Sequence, residues 1–252
     1  FALTVLLLAF SWLNVSGAAS VAATGTALTT RMVLLGGAAL APTLADRAKA
    51  AGWPLCIGYG MTETTAMCAA HCGPAAGTEA GLVGRLLPGF EAETGPDGRL
   101  RLRGPALTLG YANPDCSPGE GLEGGWLTSN DLARFDGEGR LWVSGRADEV
   151  LVSGGELVHP AQVEALLAAC PGVRAVAVGA IPDPRWGDLL VAWYRGELEP
   201  GELETWCRER LPGYLRPRRL RRVARLPLSG SGKLDRTRLR ELMAAEEGGS
   251  DG

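Results

Sequence analysis

A predicted strand, helix and second strand in residues 32–59 restrict the fold of this chain more than any other feature. Met32–Gly36 is a short apolar run that ends in glycine, and it predicts a buried strand before a tight turn. Ala41–Ala51, with Pro42 near its first turn, predicts a helix. Pro54–Tyr59 predicts a second buried strand. Strands joined through a helix lie parallel, so this region predicts an α/β layer.

The sequence from Gly81 onward has the pattern of antiparallel strands and hairpins. Leu100 and Leu102 alternate with polar residues, which predicts a strand with one buried face. Glycine, proline and acidic residues form turn sequences at Gly95–Gly98 and Asp136–Gly139. This region is therefore predicted to form short strands joined by tight turns.

A compact α+β module is predicted after Gly145. Apolar residues on one face of Pro160–Cys170 predict a helix. The other predicted elements are strands at Val173–Val178 and Leu189–Tyr194 and helices at Glu202–Leu211 and Thr237–Ala245. The arginine run Arg216–Arg225 has no interleaved aromatic residues, so it predicts a charged edge strand and not a nucleic-acid surface. Residues 246–252 are expected to be disordered.

Composition and the first residues restrict the partners. The chain has 252 residues and a net charge of −3, which gives no basis for a nucleic-acid or membrane-surface partner. The apolar run Phe1–Leu13 is too short for a transmembrane helix. We interpret it as a core segment of a domain cut open at its start; a signal peptide, which lacks its basic region here, is the alternative. The six cysteines have no regular spacing, which favours thiols in a reducing compartment and predicts a cytoplasmic protein.

Gly58–Glu63 follows the second predicted strand and is the first candidate nucleotide site. Its two glycines allow the backbone to approach a ligand closely. The hydroxyl of Thr62 can donate a hydrogen bond to an anionic oxygen, and the carboxylate of Glu63 can hold a divalent metal against phosphate. A structural turn is the alternative, and this hexapeptide alone does not decide between the two.

Two further candidates lie near the predicted domain boundary. Asp131 ends the segment Trp126–Asp131 after a predicted strand, where a carboxylate can bind ribose hydroxyls; a turn aspartate is the alternative. Arg146 and Asp148, followed by the glycine-containing loop Ser153–Glu156, are expected at a hinge with a nucleotide contact. A salt-bridged linker is the alternative interpretation of that pair.

Lys233 ends the flexible loop Leu228–Lys233. The loop is not a Walker A motif, because Pro227 and Leu234 stand where that motif needs glycine and a hydroxyl residue. A lysine on a loop can still neutralise negative charge that grows in a transition state. A solvated loop lysine is the alternative.

Six segments, in this order, resemble the motifs of the adenylate-forming superfamily of acyl-CoA ligases, luciferases and peptide-synthetase adenylation domains. They are Gly36–Ala38, Tyr59–Glu63, Gly104–Tyr111, Trp126–Asp131, Gly145–Pro160 and Pro227–Arg236. Met61 favours acyl-CoA ligases, because peptide synthetases usually have proline there. Gly84–Tyr111 and Ser153–Glu156 are most similar to o-succinylbenzoate–CoA ligases of menaquinone biosynthesis; another fatty-acyl or aryl-CoA ligase is the alternative.

The resemblance implies both a fold and a reaction. The fold is the C-terminal part of a large α/β adenylation domain with a β-barrel-like subdomain, residues 1–147, followed by a small, mobile α+β domain, residues 148–252. The reaction joins a small-molecule carboxylic acid to ATP with Mg²⁺, which gives an acyl-adenylate and pyrophosphate. The thiol of coenzyme A then displaces AMP.

The resemblance also implies a role for each candidate residue. Gly36, Gly37, Ala38, Tyr59 and Gly60 border the adenine and acyl pocket, Thr62 and Glu63 serve phosphate and Mg²⁺, and Asp131 binds the ribose with Arg146 close by. Asp148 is the hinge, Ser153, Gly154, Gly155 and Glu156 face coenzyme A, and Lys233 contacts the carboxylate and α-phosphate in the first step only.

The chain departs from the family pattern at two points. Ser129 and Asn130 stand where the family usually has threonine and glycine, and Asn130 is expected to shift the loop before Asp131. The family's Ser/Thr/Gly-rich phosphate loop corresponds to no segment of residues 1–252, and Thr24–Thr26 does not replace it. A non-catalytic remnant or partner-binding module is therefore the alternative from a different functional class.

Overall fold

The computed structural model describes residues 32–110, except 38 and 41, residues 122–230 and residues 233–248. The described chain divides into two compact units, the first ending at Asp148 and the second beginning at Glu149. The predictions for Phe1–Leu13, Ala38 and Tyr111 lie outside the described residues. Among the helices that the structure describes, none combines the length and apolar character needed to cross a bilayer.

The predicted strand, helix and strand at the start of the first unit are confirmed. Strand β1 (Val33–Leu35) pairs in parallel with β2 (Leu55–Tyr59), and helix α1 (Pro42–Ala50) connects them. Apolar side chains of both strands pack on the buried Ala45 of the helix. The two strands therefore end at the same edge of the sheet, as an α/β layer requires.

The first unit is antiparallel from Gly81 onward, as predicted. The strands are β3 (Ala69–Cys72), β4 (Leu82–Leu86), β5 (Glu91–Thr94), β6 (Arg99–Arg103), β7 (Leu122–Glu123), β8 (Trp126–Phe135) and β9 (Leu141–Arg146). Strand β3, which precedes Gly81 and was not predicted, also pairs antiparallel with β2 and β4. The sheet order is β1-β2-β3-β4-β9-β8-β6-β5, and β7 pairs with β8. Hydrogen bonds of 3.0 Å within Gly95–Gly98 and 2.9 Å within Asp136–Gly139 confirm the two predicted turns.

The antiparallel part of this sheet curls around its own core. Ala69 of β3 packs in one buried cluster with Leu100 and Leu102 of β6, although three strands separate β3 from β6 in the sheet. Neighbouring strands lie about 4.8 Å apart, so a flat sheet would hold these side chains far from each other. The curvature confirms the barrel-like subdomain.

The second unit is an α+β module, as predicted. Its elements are β10 (Leu151–Ser153), β11 (Glu156–Val158), α2 (Pro160–Ala168), β12 (Val173–Asp183), β13 (Gly187–Gly196), α3 (Pro200–Arg210), β14 (Arg219–Arg222) and α4 (Arg236–Gly248). The sheet order is β11-β10-β13-β12, and β14 pairs in parallel with β13. The arginine run thus contains a strand, as predicted.

Strand β13 supplies side chains to two cores on opposite faces of this sheet. Leu190, Ala192 and Tyr194 pack with residues of α2 and α3. Leu189, Val191 and Trp193 pack with Leu239 and Met243 of α4. Because alternate residues of a strand point to opposite faces, burial on both sides requires a continuous apolar run, which the segment has.

The last helix begins and ends differently from its prediction. The carboxylate of Asp235 accepts a hydrogen bond of 2.9 Å from the backbone N–H of Arg238 and so caps the start of the helix. The helix continues to Gly248, so the prediction of disorder is wrong for residues 246–248. Residues 249–252 lie outside the described part of the chain.

The prediction that every cysteine is a thiol is wrong for one pair. Cys56 of β2 and Cys72 of β3 are opposite partners in the antiparallel ladder and are joined by a disulfide. Cys68, Cys170 and Cys207 are free and buried. The sequence separation of the pair does not reveal the register that places them opposite each other.

Candidate functional site

Glycines shape the sheet edge where β1 and β2 end. A Cβ atom on Gly36 would lie 3.2 Å from the carbonyl oxygen of Gly58, so the two strand ends pack tightly. Gly37 has a φ of +83°, a conformation that favours glycine. Ala38, predicted to border the same pocket, lies outside the described residues. Gly36 and Gly37 therefore contribute no side chain of their own to this edge of the sheet.

The loop after Tyr59 closes tightly on itself. A Cβ atom on Gly60 would lie 1.7 Å from the carbonyl oxygen of Ala66, so no other residue fits without movement of the backbone. The buried hydroxyl of Thr64 accepts a hydrogen bond of 2.9 Å from the backbone N–H of Met61. These contacts form a single 3₁₀ turn at Thr62–Thr64, in which Thr62 is exposed and Glu63 is half-buried.

A second set of contacts fixes this turn from outside. The hydroxyl of Thr65 donates a hydrogen bond of 2.7 Å to the carbonyl oxygen of Ala106. The backbone N–H of Thr108 donates one of 2.7 Å to the carbonyl oxygen of Glu63. Thr65 has a φ of +60°, which is uncommon for a residue other than glycine and marks a position held by its surroundings. The turn carrying Glu63 is thus bound to the segment Gly104–Gly110.

Tyr59 and Asp131 meet although 72 positions separate them. The phenol of Tyr59 donates a hydrogen bond of 2.5 Å to Oδ2 of Asp131. Burial, reinforced by the charge of Asp131, raises the pKa of Tyr59 well above its ordinary value, so the phenol stays protonated and donates. The structure therefore brings together two residues that were predicted to contact one nucleotide.

Asp131 lies inside strand β8, not in a turn after it. Its backbone N–H donates a hydrogen bond of 3.1 Å to the hydroxyl of Ser129. Asn130 is exposed between them in the same strand. The alternative of a turn aspartate is therefore wrong, because the segment is strand. The register of β8 against β6 shifts between the pairs Arg101–Thr128 and Arg99–Leu132, which enclose Asn130, so the expected effect of Asn130 on this segment stays a prediction.

Arg146 continues the row of polar contacts from Asp131 to Asp148. Asp131 and Arg146 are opposite partners on β8 and β9, and Nη1 of Arg146 lies 4.0 Å from Oδ1 of Asp131. Nε and Nη2 of Arg146 donate hydrogen bonds of 2.9 and 2.8 Å to the carboxylate of Asp148. These hydrogen bonds hold the pKa of Asp148 below its usual value. Since both side chains are well exposed, the pair adds little to stability, and its effect is to orient Arg146.

The loop predicted to face coenzyme A is a two-residue hairpin turn in the second unit. Ser153 pairs with Glu156 across β10 and β11, and Gly154 and Gly155 between them have φ values of +62° and +84°. Two consecutive positive φ angles define the hairpin turn that favours glycine at both positions. The backbone N–H of Gly154 donates a hydrogen bond of 2.8 Å to the carbonyl oxygen of Trp186. The turn is therefore held to the neighbouring β12–β13 hairpin.

Lys233, also in the second unit, is an exposed residue at the end of a closed loop. Its carbonyl oxygen accepts a hydrogen bond of 2.8 Å from the backbone N–H of Ser229. The next hydrogen bond, of 3.0 Å, runs from the N–H of Asp235 to the carbonyl oxygen of Pro227. The backbone of Lys233 therefore has defined partners on the other side of its loop.

Sequence reasoning missed the residues that support these sites. Thr64 and Thr65 hold the turn that carries Glu63, and the only signal for Thr64 is a hydroxyl residue three positions after Met61. For Thr65 the sequence contains no signal, because its partner is 41 positions away. Long-range partners of this kind follow from sheet topology alone.

Cys68 lies behind Tyr59 and is expected to be unreactive in the folded protein. Its thiol is fully buried, and burial raises its pKa to about 11. At pH 8 only about one thiol in a thousand is then ionised, and the thiolate is the reactive form. Native alkylation with iodoacetamide at pH 8, followed by mass spectrometry, should leave Cys68 unmodified, whereas alkylation in urea should modify it. Rapid native modification would show that this core opens.

Two family models match the chain, each over a different part. The model of the AMP-binding enzyme family matches residues 4–112. The model of the AMP-binding enzyme C-terminal domain matches residues 162–233. The two matches fall on either side of the boundary between the two compact units.

Curated relatives and a solved structure are similar over most of this chain. A 2-succinylbenzoate–CoA ligase from Listeria monocytogenes is 33% identical over 213 residues, which are 84% of this chain and 46% of that protein. A feruloyl-CoA synthase from Amycolatopsis is 36% identical over 218 residues, 81% of this chain and 44% of that protein. The o-succinylbenzoate coenzyme A synthetase from Bacillus subtilis, in complex with ATP and magnesium ion, matches with a TM-score of 0.77 at 29% identity, over 88% of this chain and 49% of that chain. The chain thus spans about half the length of the curated relatives it matches.

Proposed function

Because this chain belongs to the AMP-binding enzyme family, we propose that it is the C-terminal part of an ATP-dependent acyl-CoA ligase that acts on o-succinylbenzoate. Residues 1–147 then belong to the large AMP-binding domain and residues 148–252 form the small mobile domain, in the cytoplasm. The observation that carries the proposal is the meeting of Tyr59, Asp131 and Arg146 at one place in the first unit. Its support in the comparisons is that 2-succinylbenzoate–CoA ligases are among the relatives above 30% identity.

The first step of the proposed reaction forms an acyl-adenylate. A carboxylate oxygen of the substrate attacks the α-phosphorus of ATP, and the bond from that phosphorus to pyrophosphate breaks. Asp131 accepts hydrogen bonds from the ribose hydroxyls, and Tyr59, which holds Asp131 by a hydrogen bond in this structure, orients it. Lys233 supplies positive charge next to the carboxylate and α-phosphate, where negative charge accumulates during attack.

Residues of the Thr62–Thr64 turn fit the magnesium ion and phosphate of such a step. Mg²⁺ takes oxygen ligands and is held in proteins through one or two carboxylates and substrate phosphates. Glu63 offers a carboxylate and Thr62 an exposed hydroxyl, both on a turn that is bound on two sides. A bound Mg²⁺ would neutralise charge on the phosphates. Thr62 and Glu63 would hold and orient these groups.

The second step transfers the acyl group to coenzyme A. The sulfur of coenzyme A attacks the acyl carbon, the bond from that carbon to AMP breaks, and the thiol proton leaves to solvent. In the proposal the small domain turns about Asp148 between the two steps. After this rotation the loop of Ser153, Gly154, Gly155 and Glu156 faces coenzyme A. The hairpin geometry suits this, because two glycines without side chains allow a thiol-bearing chain to pass closely.

A second aromatic carboxylate is an alternative substrate. The feruloyl-CoA synthase relative is 36% identical to this chain, slightly more than the 2-succinylbenzoate–CoA ligase relative at 33%. As its name states, that relative also forms a CoA ester. The two substrates can be separated by comparing the binding of the two corresponding acyl-adenylate analogues to the chain.

Asp131→Asn is expected to weaken the binding of a non-hydrolysable o-succinylbenzoyl-adenylate analogue about 10- to 100-fold, because hydrogen bonds to a charged group contribute about 1.5–3 kcal/mol. Equilibrium dialysis or calorimetry with the 252-residue chain measures this. The asparagine keeps the shape and still accepts a hydrogen bond from Tyr59, so the fold should be preserved. Asp97→Asn, in an exposed turn of the same unit, is the matched control.

A 2′-deoxy version of the analogue makes this test specific to the ribose. The unsubstituted chain should bind it more weakly than the parent analogue, whereas Asp131→Asn should bind both about equally. If the unsubstituted chain binds neither analogue, the proposal that this part of the protein holds the adenylate is wrong.

A further inference from the structure

Arg236 forms the most extensive ion-pair cluster of the second unit among the described residues. Its Nε lies 2.8 Å from a carboxylate oxygen of Glu149, the first residue of that unit. Its Nη1 and Nη2 each donate a hydrogen bond of 2.9 Å to the carboxylate of Glu164 on α2. Nη1 also contacts the carbonyl oxygen of Val178 on β12 at 3.3 Å. One guanidinium group therefore joins the start of the unit, a helix and the central sheet.

The cluster is well shielded from solvent and stays charged. The side chains of Arg236, Glu149 and Glu164 are 21%, 27% and 17% exposed. Burial alone would lower the pKa of Arg236, but its hydrogen bonds and the charges of Glu164 and Glu149 outweigh this and raise it. The geometry is the two-pronged pairing in which arginine binds a carboxylate most specifically. A shielded arginine–carboxylate pair of this kind fixes the positions of its side chains more firmly than a lysine–carboxylate pair or an exposed ion pair does.

Arg236 also lies three positions after Lys233, at the start of helix α4. Leu234, between them, forms an antiparallel bridge with Leu228, and Asp235 bonds to Pro227. Any movement of Lys233 relative to Glu149 must therefore displace Leu234 and Asp235 or break the contact between Glu149 and Arg236. The contact between Arg236 and Glu149 joins the segment after Lys233 to the residue next to Asp148.

We propose that Arg236 is a positioning residue for Lys233. By holding Glu149 and Glu164 together, it fixes the loop of Lys233 to the end of the second unit that adjoins Asp148. A rotation about Asp148 is then transmitted to Lys233 as rigid-body movement and is not absorbed by the loop. This inference rests on the proposed function, in which Lys233 and Asp148 act, and it adds the residue that connects them.

The sequence itself supplies a specific probe. Lys49 and Lys233 are its only lysines, so the chain labelled with ¹⁵N-lysine gives two backbone amide signals, one from each unit. NMR relaxation of the unsubstituted chain should give Lys233 an order parameter near that of rigid backbone, about 0.85. Glu149→Ala should lower it measurably, because one of the contacts that hold this segment is lost, and should leave Lys49 unchanged.

Two further variants complete the test. Arg236→Gln should affect the Lys233 signal at least as strongly, but it removes the guanidinium from the carboxylates of both Glu149 and Glu164 and risks unfolding. Glu149→Ala keeps the bond between Arg236 and Glu164 and remains interpretable. Arg238→Gln, which breaks an exposed pair with Glu241 on the same helix, is the control and should change neither signal.

The outcomes separate this inference from the proposed function. A flexible Lys233 in the unsubstituted chain, an unchanged Lys233 in Glu149→Ala, or an equal loss of order at Lys49 would each overturn the role of Arg236. The measurement needs neither nucleotide nor turnover. If Lys233 responds as expected but the chain binds no acyl-adenylate analogue, the proposed function fails while the link from Glu149 to Lys233 stands.

Discussion

Lys233→Ala is expected to reduce acyl-adenylate formation on the order of 10²-fold or more, the scale of removing one preorganised electrostatic stabiliser. The assay uses a fusion enzyme, in which this chain follows the amino-terminal half of the Bacillus subtilis o-succinylbenzoate coenzyme A synthetase. ATP–pyrophosphate exchange measures the first step. Transfer from supplied acyl-adenylate to coenzyme A measures the second step, which should continue at a near-normal rate because Lys233 is assigned to adenylation alone.

Lys49→Ala is the matched control, since Lys49 lies on α1 and pairs with Asp46 near the surface. It should leave both steps close to normal. An equal loss of both steps in Lys233→Ala would contradict the assigned role. A normal rate of exchange would make Lys233 a solvated loop lysine, the alternative that the sequence leaves open.

Asp148→Pro is expected to slow one of the two steps about 10²-fold relative to the other, the scale of a small misplacement of reacting groups. Proline fixes φ near −65°, which is compatible with the 3₁₀ turn Ala147–Glu149 seen here. The conformation described here should therefore persist, while rotation about this residue is obstructed. Comparison of the two half-reactions of the fusion enzyme measures the effect.

Asp148→Ala separates the hinge from the ion pair. It removes the hydrogen bonds to Arg146, as the proline variant does, but leaves φ free. We expect Asp148→Ala to slow both steps only slightly. If both variants behave alike, the ion pair matters and the rotation does not; if neither changes a rate, Asp148 is not the hinge.

The elements of this fold could be predicted where local patterns decide them. The apolar run before Gly36 and the helix after it gave the parallel pair β1 and β2, and the apolar run Leu189–Tyr194 gave β13. Predicted bounds differ from observed ones mainly where pairing extends a strand, as in β12, which continues to Asp183. The added residues pair with Gly187–Val191 of β13 in a hairpin, and the local apolar pattern does not show how far this pairing extends.

The candidate site was less predictable, because its contacts depend on sheet curvature and register. Asp131 was identified as an acid, but its place inside β8 depends on pairing with β9, and its contact with Tyr59 depends on the curl of the whole sheet. The disulfide between Cys56 and Cys72 was missed for the same reason, since it requires the register of β2 and β3. The order of the motifs along the chain identifies the family. Which residues contact each other depends on the pairing and curvature of the strands, which the motifs do not reveal.

Burial on both faces of β13 also disfavours folding intermediates in which this strand pairs with β12 out of register. Its six consecutive buried residues, Leu189–Tyr194, alternate between the two cores and differ in size. The small Ala192 points to the core beside α2 and α3, and the large Trp193 points to the core beside α4. A slip of β13 by one residue against β12 would exchange the two faces and force the indole into the space that Ala192 leaves for the helices α2 and α3. The shifted strand would pack badly in both cores, so the packing lost in one core is not recovered in the other. The register of β13 is therefore set by both of its faces.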